Sequence, residues 1–167
     1  MAATDEVLKA FNELMAQLDY PMFIVTTVGD DGERSGCLIG FATQISIKPP
    51  RFLVGLSNKN RTYRVTEGAE HVGVHFIPSD ATGVAELFGS ETGDEVDKFE
   101  RCEWHEGPEG VPIVDGLPNW FVGRIIDRLA AGDHDALVLE PVAAEHQAEE
   151  KEFTFHRAKR IEPGHAP

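Results

Sequence analysis

Short runs of β-branched and aromatic residues, separated by turn-forming residues, are the feature that most constrains the fold of this chain. Four of them are MFIVTTV (residues 22–28), RFLVGL (51–56), HVGVHFI (71–77) and NWFVGRIIDRLA (119–130). Each run has the length and composition of a β-strand, and glycine, proline or aspartate residues stand between the runs. Many short strands and few helical segments predict a mainly β domain, an antiparallel barrel with a few peripheral helices.

The N-terminal segment differs, because its apolar residues follow a helical period. Thr4 can act as the N-cap, and a helix is expected over about residues 4–18, ending before Pro21. The apolar residues that would share one helical face are Val7, Leu8, Phe11, Leu14, Met15 and Leu18.

The first half of the chain predicts three strands in succession. The sequence GDDG at residues 29–32 is typical of a turn, and residues 36–47 are expected to form a single strand after it. With the strands at 22–28 and 51–56, this gives a three-stranded meander. Ser79 is expected to cap a helix that runs through Phe88.

The second half predicts a long hairpin. Residues 119–130 and 134–142 are expected to pair around Gly132-Asp133. The remaining predictions are a mostly looped region at residues 89–118, a last short strand at 152–155, and a flexible tail at about 161–167. The whole chain, residues 1–167, is expected to be a single domain.

No segment has the composition of a membrane span or of a secretion signal. No apolar run approaches the roughly 20 residues that a membrane helix needs. The chain opens with Asp5 and Glu6 where a signal peptide would be basic, so we expect a cytoplasmic protein. Its two cysteines, Cys37 and Cys102, are too few for a disulfide framework and are expected to be small buried thiols.

The distribution of charge points to an anionic ligand. The net charge is −14, which makes nucleic acid an unfavourable partner. Residues 34–66 nevertheless contain no Asp or Glu, where average composition would give about six. The basic residues in this stretch are Arg34, Lys48, Arg51, Lys59, Arg61 and Arg64. The stretch either binds an anion or pairs with acidic residues elsewhere in the fold.

An ordered set of segments resembles the flavin reductase-like family over roughly residues 20 to 158. The N-terminal segments are YPMFIVTT (20–27), GCLIGFATQISIKPP (36–50) and FLVGLSNKNRT (52–62). The later ones are DKF (97–99), PIVDG (112–116) and AGDH (131–134). The resemblance implies a Greek-key split β-barrel that binds FMN, or FAD, near the interface of a homodimer. It also implies NADH or NADPH as hydride donor and a monooxygenase as a possible partner.

The flavin site is expected in two segments. The flavin ring needs backbone hydrogen bonds and close approach of the chain, which is expected at Cys37, Leu38, Ile39, Gly40, Phe41 and Ala42. The phosphate is expected at a polar loop of Ser57, Asn58, Lys59, Asn60, Arg61 and Thr62, for which a solvated turn is the alternative. Many family members carry Thr or Ser where this chain has Leu38, Gly40 and Phe41.

The nicotinamide nucleotide is expected near His134, the candidate catalytic residue. Hydride transfer from nicotinamide C4 to flavin N5 needs no general base, so His134 is expected to position the nucleotide. A hairpin-turn histidine without a role is the alternative. Lys98 and Phe99 are expected at the same nucleotide, with a solvated lysine as the alternative. A contact to flavin or to the partner subunit is also an option in the segment that resembles the family's closing strand, which contains Phe153, Phe155, His156 and Arg157.

Other chemistries have less support in the sequence. Cys102 with His105, and His71 with His75, are ligand-like pairs, but a closed zinc site needs four ligands, so no metal is expected. No dinucleotide fingerprint, P-loop or nucleophile elbow is present. The functions that remain are a flavin reductase, a flavin carrier or store, a redox enzyme with fixed flavin and another substrate, and a barrel that has become an interaction module.

Overall fold

The computed structural model describes residues 2–164, so Met1 and residues 165–167 lie outside the described residues. Helix α1 (Asp5–Gln17) begins at the predicted N-cap, where Thr4 Oγ1 accepts a hydrogen bond from Val7 N at 3.4 Å. Part of the predicted flexible tail is described, and Ile161 packs against the hydrophobic core there.

The described chain contains nine strands and three further α-helices. The strands are β1 (Phe23–Val28), β2 (Arg34–Ile39), β3 (Ala42–Ser46), β4 (Arg51–Ser57), β5 (His71–Phe76), β6 (Trp104–Glu106), β7 (Pro112–Val114), β8 (Asn119–Ala130) and β9 (His134–His146). The helices are α2 (Arg61–Thr66), α3 (Thr82–Ser90) and α4 (Phe155–Ala158), and short 3₁₀ turns lie at Lys98–Glu100 and Pro108–Gly110.

Seven strands form one antiparallel sheet in the order β2-β1-β5-β8-β9-β4-β3, and β6 pairs with β7 in a small second sheet. Strand β5 follows β4 along the chain but pairs with β1. Strand β2 at one edge lies against β4 near the other edge, so the sheet curls into a barrel. The predicted mainly β, antiparallel Greek-key split barrel with peripheral helices is confirmed.

The predicted three-stranded meander is wrong, because residues 36–47 form two strands. Strand β2 ends at Ile39 and pairs with β1, whereas β3 begins at Ala42 and pairs with β4 at the opposite edge of the sheet. The chain leaves β2 at Gly40, where an added Cβ would lie 2.7 Å from Tyr20 Cε2 and 3.0 Å from Met22 Sδ. A side chain at this position would require Tyr20 or Met22 to shift.

Alternate residues of the strands fill the inside of the barrel, because successive side chains of a strand point to opposite faces. This barrel core contains Phe23, Val25, Cys37, Ile39, Val54, Leu56, Val72, Val74, Phe121, Leu137 and Leu139. A second cluster beneath α3 buries the other face of β1, with Ile24 packed among residues such as Phe88 and Phe153. Strand β1 is covered on both faces, which explains why it contains no charged residue.

Three other local predictions are corrected by the structure. Helix α3 starts at Thr82 with Ala81 as N-cap, so Ser79 does not cap it, and Ser79 N instead donates to Lys151 O. Residues 152–155 form two isolated bridges instead of a strand. There Phe153 is 1% exposed, and its backbone bonds to both Met22 and Ile77. The partner strand of the long hairpin extends beyond residue 142 to His146.

His75 joins the large sheet to strand β7 of the small sheet. Its ring is fully buried; Nδ1 donates to Ile24 O at 3.0 Å, and Nε2 accepts from Val114 N at 3.1 Å. A protonated ring could not accept the second bond. Burial lowers the pKa of His75 from 6.5 to about 4, so the histidine is neutral at neutral pH.

Within residues 2–164, no helix is long and apolar enough to cross a membrane.

Replacing His75 by Gln is expected to remove part of the acid sensitivity of the fold. The unfolded chain protonates His75 near pH 6.5 and the folded chain only near pH 4, so this group's stabilisation is complete above pH 6.5 and is lost as the pH falls to 4. The loss amounts to about 3 kcal/mol. Denaturant unfolding at pH 7 and pH 4 should show a stability advantage of wild type over His75→Gln that shrinks by this amount. An advantage that is independent of pH would contradict it, and the exposed His146→Gln serves as control.

Candidate functional site

A cavity of about 200 Å³ lies where the chain passes from β2 to β3. Its walls come from segments far apart in the sequence: the approach to β1, the end of β2, strand β4 with the loop after it, the start of β9, and α4. The residues that line it are Tyr20, Met22, Cys37, Leu38, Ile39, Gly40, Phe41, Gly55, Ser57, Asn60, His134 and Phe155. The fold thus brings eight of the predicted site residues to one place.

Aromatic rings form two walls of this cavity. Tyr20 and Phe155 are stacked, with ring centroids 4.7 Å apart and an interplanar angle of 10°. Phe41 and His134 meet at 4.9 Å between centroids and are tilted by 58°. A flat, largely apolar ring system is the ligand that such walls favour.

The backbone of β2 supplies polar groups beside these rings. Strand β2 is at the edge of the seven-stranded sheet, so strand pairing uses only one of its two backbone edges. Lys98 Nζ donates a hydrogen bond to one backbone group of this strand, the carbonyl of Gly36, at 2.9 Å. The rest of the edge can offer donors and acceptors to the rim of a ring.

The loop at residues 57–62 is ordered by its own hydrogen bonds. Asn60 Oδ1 accepts from Thr62 N at 2.8 Å and caps α2, and Thr62 Oγ1 bonds with Ser35 Oγ at 2.9 Å in the interior. Ser57 and Asn60 line the cavity, whereas Asn58 and Lys59 are exposed. Ala42 lies on β3 opposite Val54 and does not line the cavity.

Three arginines of the acid-free stretch are paired with acids outside it. Arg61 binds Glu33 through two nitrogens at 2.9 and 2.6 Å and also donates to the carbonyl of Gly93. The other two pairs are Arg64–Asp94 at 2.6 Å and Arg51–Glu140 at 3.1 Å. These three arginines therefore follow the second alternative given above: they pair with acidic residues elsewhere in the fold. A phosphate would have to compete with Glu33 for Arg61.

Lys98 and Phe99 lie away from His134, in the wall of a second cavity that Arg61 also lines. The Lys98 side chain is buried, and its ammonium donates to Gly36 O at 2.9 Å and to Phe88 O at 3.0 Å. Phe99 is buried against the ring of Phe88. The predicted nucleotide contact does not fit these positions. Instead, Lys98 fixes β2 to α3 next to the candidate site.

His134 is the first residue of β9 and is held by its neighbour in sequence. Its Nδ1 lies 2.8 Å from Asp133 Oδ1, and this hydrogen bond lowers the pKa of Asp133. A carboxylate acceptor makes Nδ1 the protonated nitrogen, which leaves Nε2 as a hydrogen-bond acceptor in the neutral ring. The side chain is 27% exposed, so it can contact both the cavity and a ligand arriving from solvent.

Cys37 contributes a small apolar surface to the cavity. The residue is 2% exposed, and burial raises the pKa of its thiol. A protonated thiol is a weak nucleophile. The interpretation of Cys37 as a structural residue therefore fits its position.

Tyr20, Met22 and Gly55 were missed as cavity residues by sequence reasoning. Tyr20 and Met22 lie in the segment at residues 20–27 that resembles the family. Both precede β1, and neither has the polar side chain that would suggest a ligand contact. Gly55 stands opposite Phe41, where an added Cβ would lie 3.0 Å from Phe41 Cβ. Close glycine contacts of this kind are not visible in a single sequence.

A larger cavity of about 510 Å³ lies elsewhere on the barrel. Its apolar floor contains Phe76, Trp120 and Phe121, and its rim carries several glutamates, including Glu145 and Glu149. None of the predicted site residues lines it. Its acidic rim disfavours an anionic ligand.

The fold and the site together are those of an antiparallel split β-barrel with an aromatic-walled cavity at the β2–β3 break. A family model described as flavin reductase like domain matches residues 15–163, which is most of the chain. The protein therefore belongs to the flavin reductase-like family, as the sequence predicted, and a flavin oxidoreductase is its class of enzyme.

Three known proteins illustrate the similarity. FMN reductase (NADH) RutF of Ancylobacter novellus is 30% identical over 132 residues, which cover 79% of this chain and 72% of that protein. The reductase component of flavin-dependent trigonelline monooxygenase of Acinetobacter baylyi is 25% identical, over 80% of this chain and 41% of its own length. The crystal structure of a flavin reductase domain protein from Arthrobacter sp. FB24 has a TM-score of 0.80 at 24% identity, over 90% and 91% of the two chains.

Metal ligands do not assemble in the part of the chain that the structure describes. Within residues 2–164, no group of three or more His, Cys, Asp or Glu side chains is placed to hold a metal ion. The ligand-like residue His75 has both ring nitrogens engaged with backbone groups.

Lys98→Met is expected to destabilise the fold by about 2–4 kcal/mol, because two buried carbonyl groups lose their donor. Burial lowers the pKa of Lys98, but the carbonyls of Gly36 and Phe88 still need its N–H groups. Chemical denaturation at pH 7 measures the effect, with the exposed Lys151→Met as a control expected to change stability by less than about 0.5 kcal/mol. Equal stabilities of the two variants would refute the structural role of Lys98.

Proposed function

We propose that this protein transfers hydride from NADH or NADPH to FMN or FAD, with the flavin ring in the cavity at the β2–β3 break. The observation that carries the proposal is the convergence of residues 37–41, Ser57, Asn60 and His134 on one cavity. Its apolar walls are rings, and its polar groups come from an edge strand and an ordered loop. The activities named for the relatives support the same reaction.

The residues present fit a flavin. Tyr20, Phe155 and Phe41 offer ring surfaces, and the free edge of β2 offers backbone donors and acceptors. Ser57 and Asn60 stand at the side of the cavity that leads to the exposed Asn58 and Lys59, where the phosphate is proposed to bind. When bound, the flavin supplies an acceptor atom, N5, for the hydride of nicotinamide C4.

The protein's own part in this reaction is binding, orientation and exclusion of water. His134, with its Nδ1 held by Asp133, is proposed to contact the nicotinamide nucleotide at the mouth of the cavity. Correct alignment of two bound rings supplies most of the catalysis in a reaction that needs no proton transfer by the protein.

The remaining expectations are part of the same proposal. A monooxygenase that consumes reduced flavin is the proposed partner, and the name of the Acinetobacter relative as a reductase component supports it. A cytoplasmic location is proposed because Cys37 and Cys102 are both free thiols. No nucleic acid is expected as a partner, given the net charge of −14.

A homodimer is proposed because α1 exposes a complete apolar face. None of the residues of α1 is buried, and its side chains contribute little to the core of a single chain. The large apolar residues of this face are between 40% and 56% exposed: Val7, Leu8, Phe11, Leu14, Met15 and, at the C-cap, Leu18. A contiguous apolar surface of this kind is typical of an interface between chains.

The activity is tested by following the reduced-nicotinamide absorbance of NADH or NADPH with purified protein, with and without FMN or FAD. Consumption that depends on added flavin is the expected result. A yellow protein that oxidises neither nucleotide would instead indicate a flavin carrier or an enzyme with fixed flavin and another substrate. A protein that neither binds flavin nor oxidises either nucleotide would indicate an interaction module.

His134→Ala is expected to raise KM for the nicotinamide nucleotide about five- to tenfold, the loss of one contact worth about 1 kcal/mol. The value of kcat should change by less than about twofold, because the histidine positions the nucleotide without moving a proton. Steady-state kinetics with saturating flavin measure both constants. His146→Ala, an exposed histidine outside the cavity, is the control. A large fall in kcat at unchanged KM would argue against this role.

The double variant Phe11→Glu with Leu14→Glu is expected to be monomeric, because two charges would be buried on the apolar face of α1. Light scattering after size-exclusion chromatography should give the mass of two chains for wild type and of one for the variant. Lys9→Glu adds charge to the same helix outside that face and should leave the dimer intact. A monomeric wild type would refute the dimer.

A further inference from the structure

The turn between β8 and β9 places His134 at the cavity. His134 begins β9 and is paired with Ser57, the last residue of β4. The three residues before it, 131–133, are all exposed, so packing against the core does not fix the turn. The position of His134 therefore depends on the hydrogen bonds that the turn makes.

Asn58 makes two of these hydrogen bonds. Its backbone N–H donates to Asp133 O at 3.0 Å, and its side-chain Nδ2 donates to Gly132 O at 3.1 Å. The carboxylate of Asp133 accepts from His134 Nδ1 at 2.8 Å. A series of hydrogen bonds thus leads from Asn58 through the turn to the imidazole ring of His134.

The two bonds of Asn58 have different requirements. Any residue except proline would keep the bond from the backbone N–H, whereas the bond to Gly132 needs a donor in the side chain. A single hydrogen bond leaves the turn free to rotate about it, but bonds to two successive carbonyl groups restrict that rotation. The asparagine side chain is therefore the part of this restraint that a substitution can remove.

We propose that Asn58 is a positioning residue for the nicotinamide nucleotide, because it holds the turn at Gly132 and Asp133 and thereby the ring of His134. The inference rests on the proposed function and adds a residue that does not itself line the cavity. Without the side-chain bond, the imidazole spends less time in the position that contacts the nucleotide, which lowers the apparent affinity by that fraction. The chemical step needs no proton from His134, so kcat depends little on this restraint.

A double-mutant cycle of Asn58→Ala and His134→Ala tests the proposal by steady-state kinetics. Asn58→Ala alone should raise KM for NADH or NADPH about two- to fourfold and change kcat by less than about twofold. In the His134→Ala background it should leave KM unchanged, because the group that Asn58 positions is absent. Saturating each variant with FMN keeps any contribution of Asn58 to phosphate binding out of these constants. An equal rise in KM in both backgrounds would overturn the proposal.

Asn119→Ala is the matched control. Asn119 Nδ2 donates to Ala148 O at 2.7 Å, so this asparagine makes the same kind of bond at the opposite end of the β8–β9 hairpin. The variant should leave KM unchanged, and thermal unfolding should show that all variants remain folded. A rise in KM as large as that of Asn58→Ala would indicate a general effect of hairpin stability and would overturn the positioning role.

The pKa of Asp133 tests the same hydrogen bonds without enzyme activity. The hydrogen bond from His134 lowers this pKa below 3.8, so a loosened turn should raise it in Asn58→Ala and not in Asn119→Ala. A titration of the carboxyl carbon by NMR measures it, and an unchanged pKa in Asn58→Ala would overturn the proposal. If wild type shows no flavin-dependent oxidation, the proposed function fails together with the role of Asn58 in it. Oxidation with an unchanged KM in Asn58→Ala would remove the positioning role alone.

Discussion

The close packing of two glycines at the β2–β3 break is the constraint on which the site depends. Gly40 lies against Tyr20 and Met22, and Gly55 lies against Phe41, so the chain can cross the end of the barrel without a Cβ at either contact. This crossing separates β2 from β3 and sends them to opposite edges of one sheet. The cavity is the space left where the edge strand ends, and its aromatic walls follow from the residues that flank the crossing.

Buried polar groups hold this arrangement in place from behind. Lys98 Nζ donates hydrogen bonds to the carbonyl of Gly36 on β2 and to that of Phe88 on α3. His75 connects the large sheet with Val114 of β7. In both cases a side chain satisfies backbone groups that would otherwise be buried without partners. Both residues had drawn functional interpretations in the sequence, as a nucleotide contact and as part of a metal-like pair. Charged and imidazole side chains in a small enzyme can serve the fold as well as the chemistry.

Local sequence patterns predicted the strands well, because β1, β5 and the first half of β8 are rich in β-branched and aromatic residues, which favour strands. Thr4 as N-cap and the hairpin at Gly132 were predictable from local chemistry for the same reason. The β2–β3 break was not, since it depends on contacts of Gly40 with residues about twenty positions away. The pairing of Arg61 with Glu33 likewise depends on the fold. The resemblance to a family proposed the site residues, and the structure shows which of them line one cavity.

The central claim is that the cavity at the β2–β3 break is where flavin binds. An NMR titration of isotope-labelled protein with FMN tests it most directly, through the positions of the amide signals that shift. The account predicts that the shifts concentrate at residues 37–41, 57–60 and 134. Shifts confined to the larger cavity around Trp120, or spread evenly over the barrel, would contradict it.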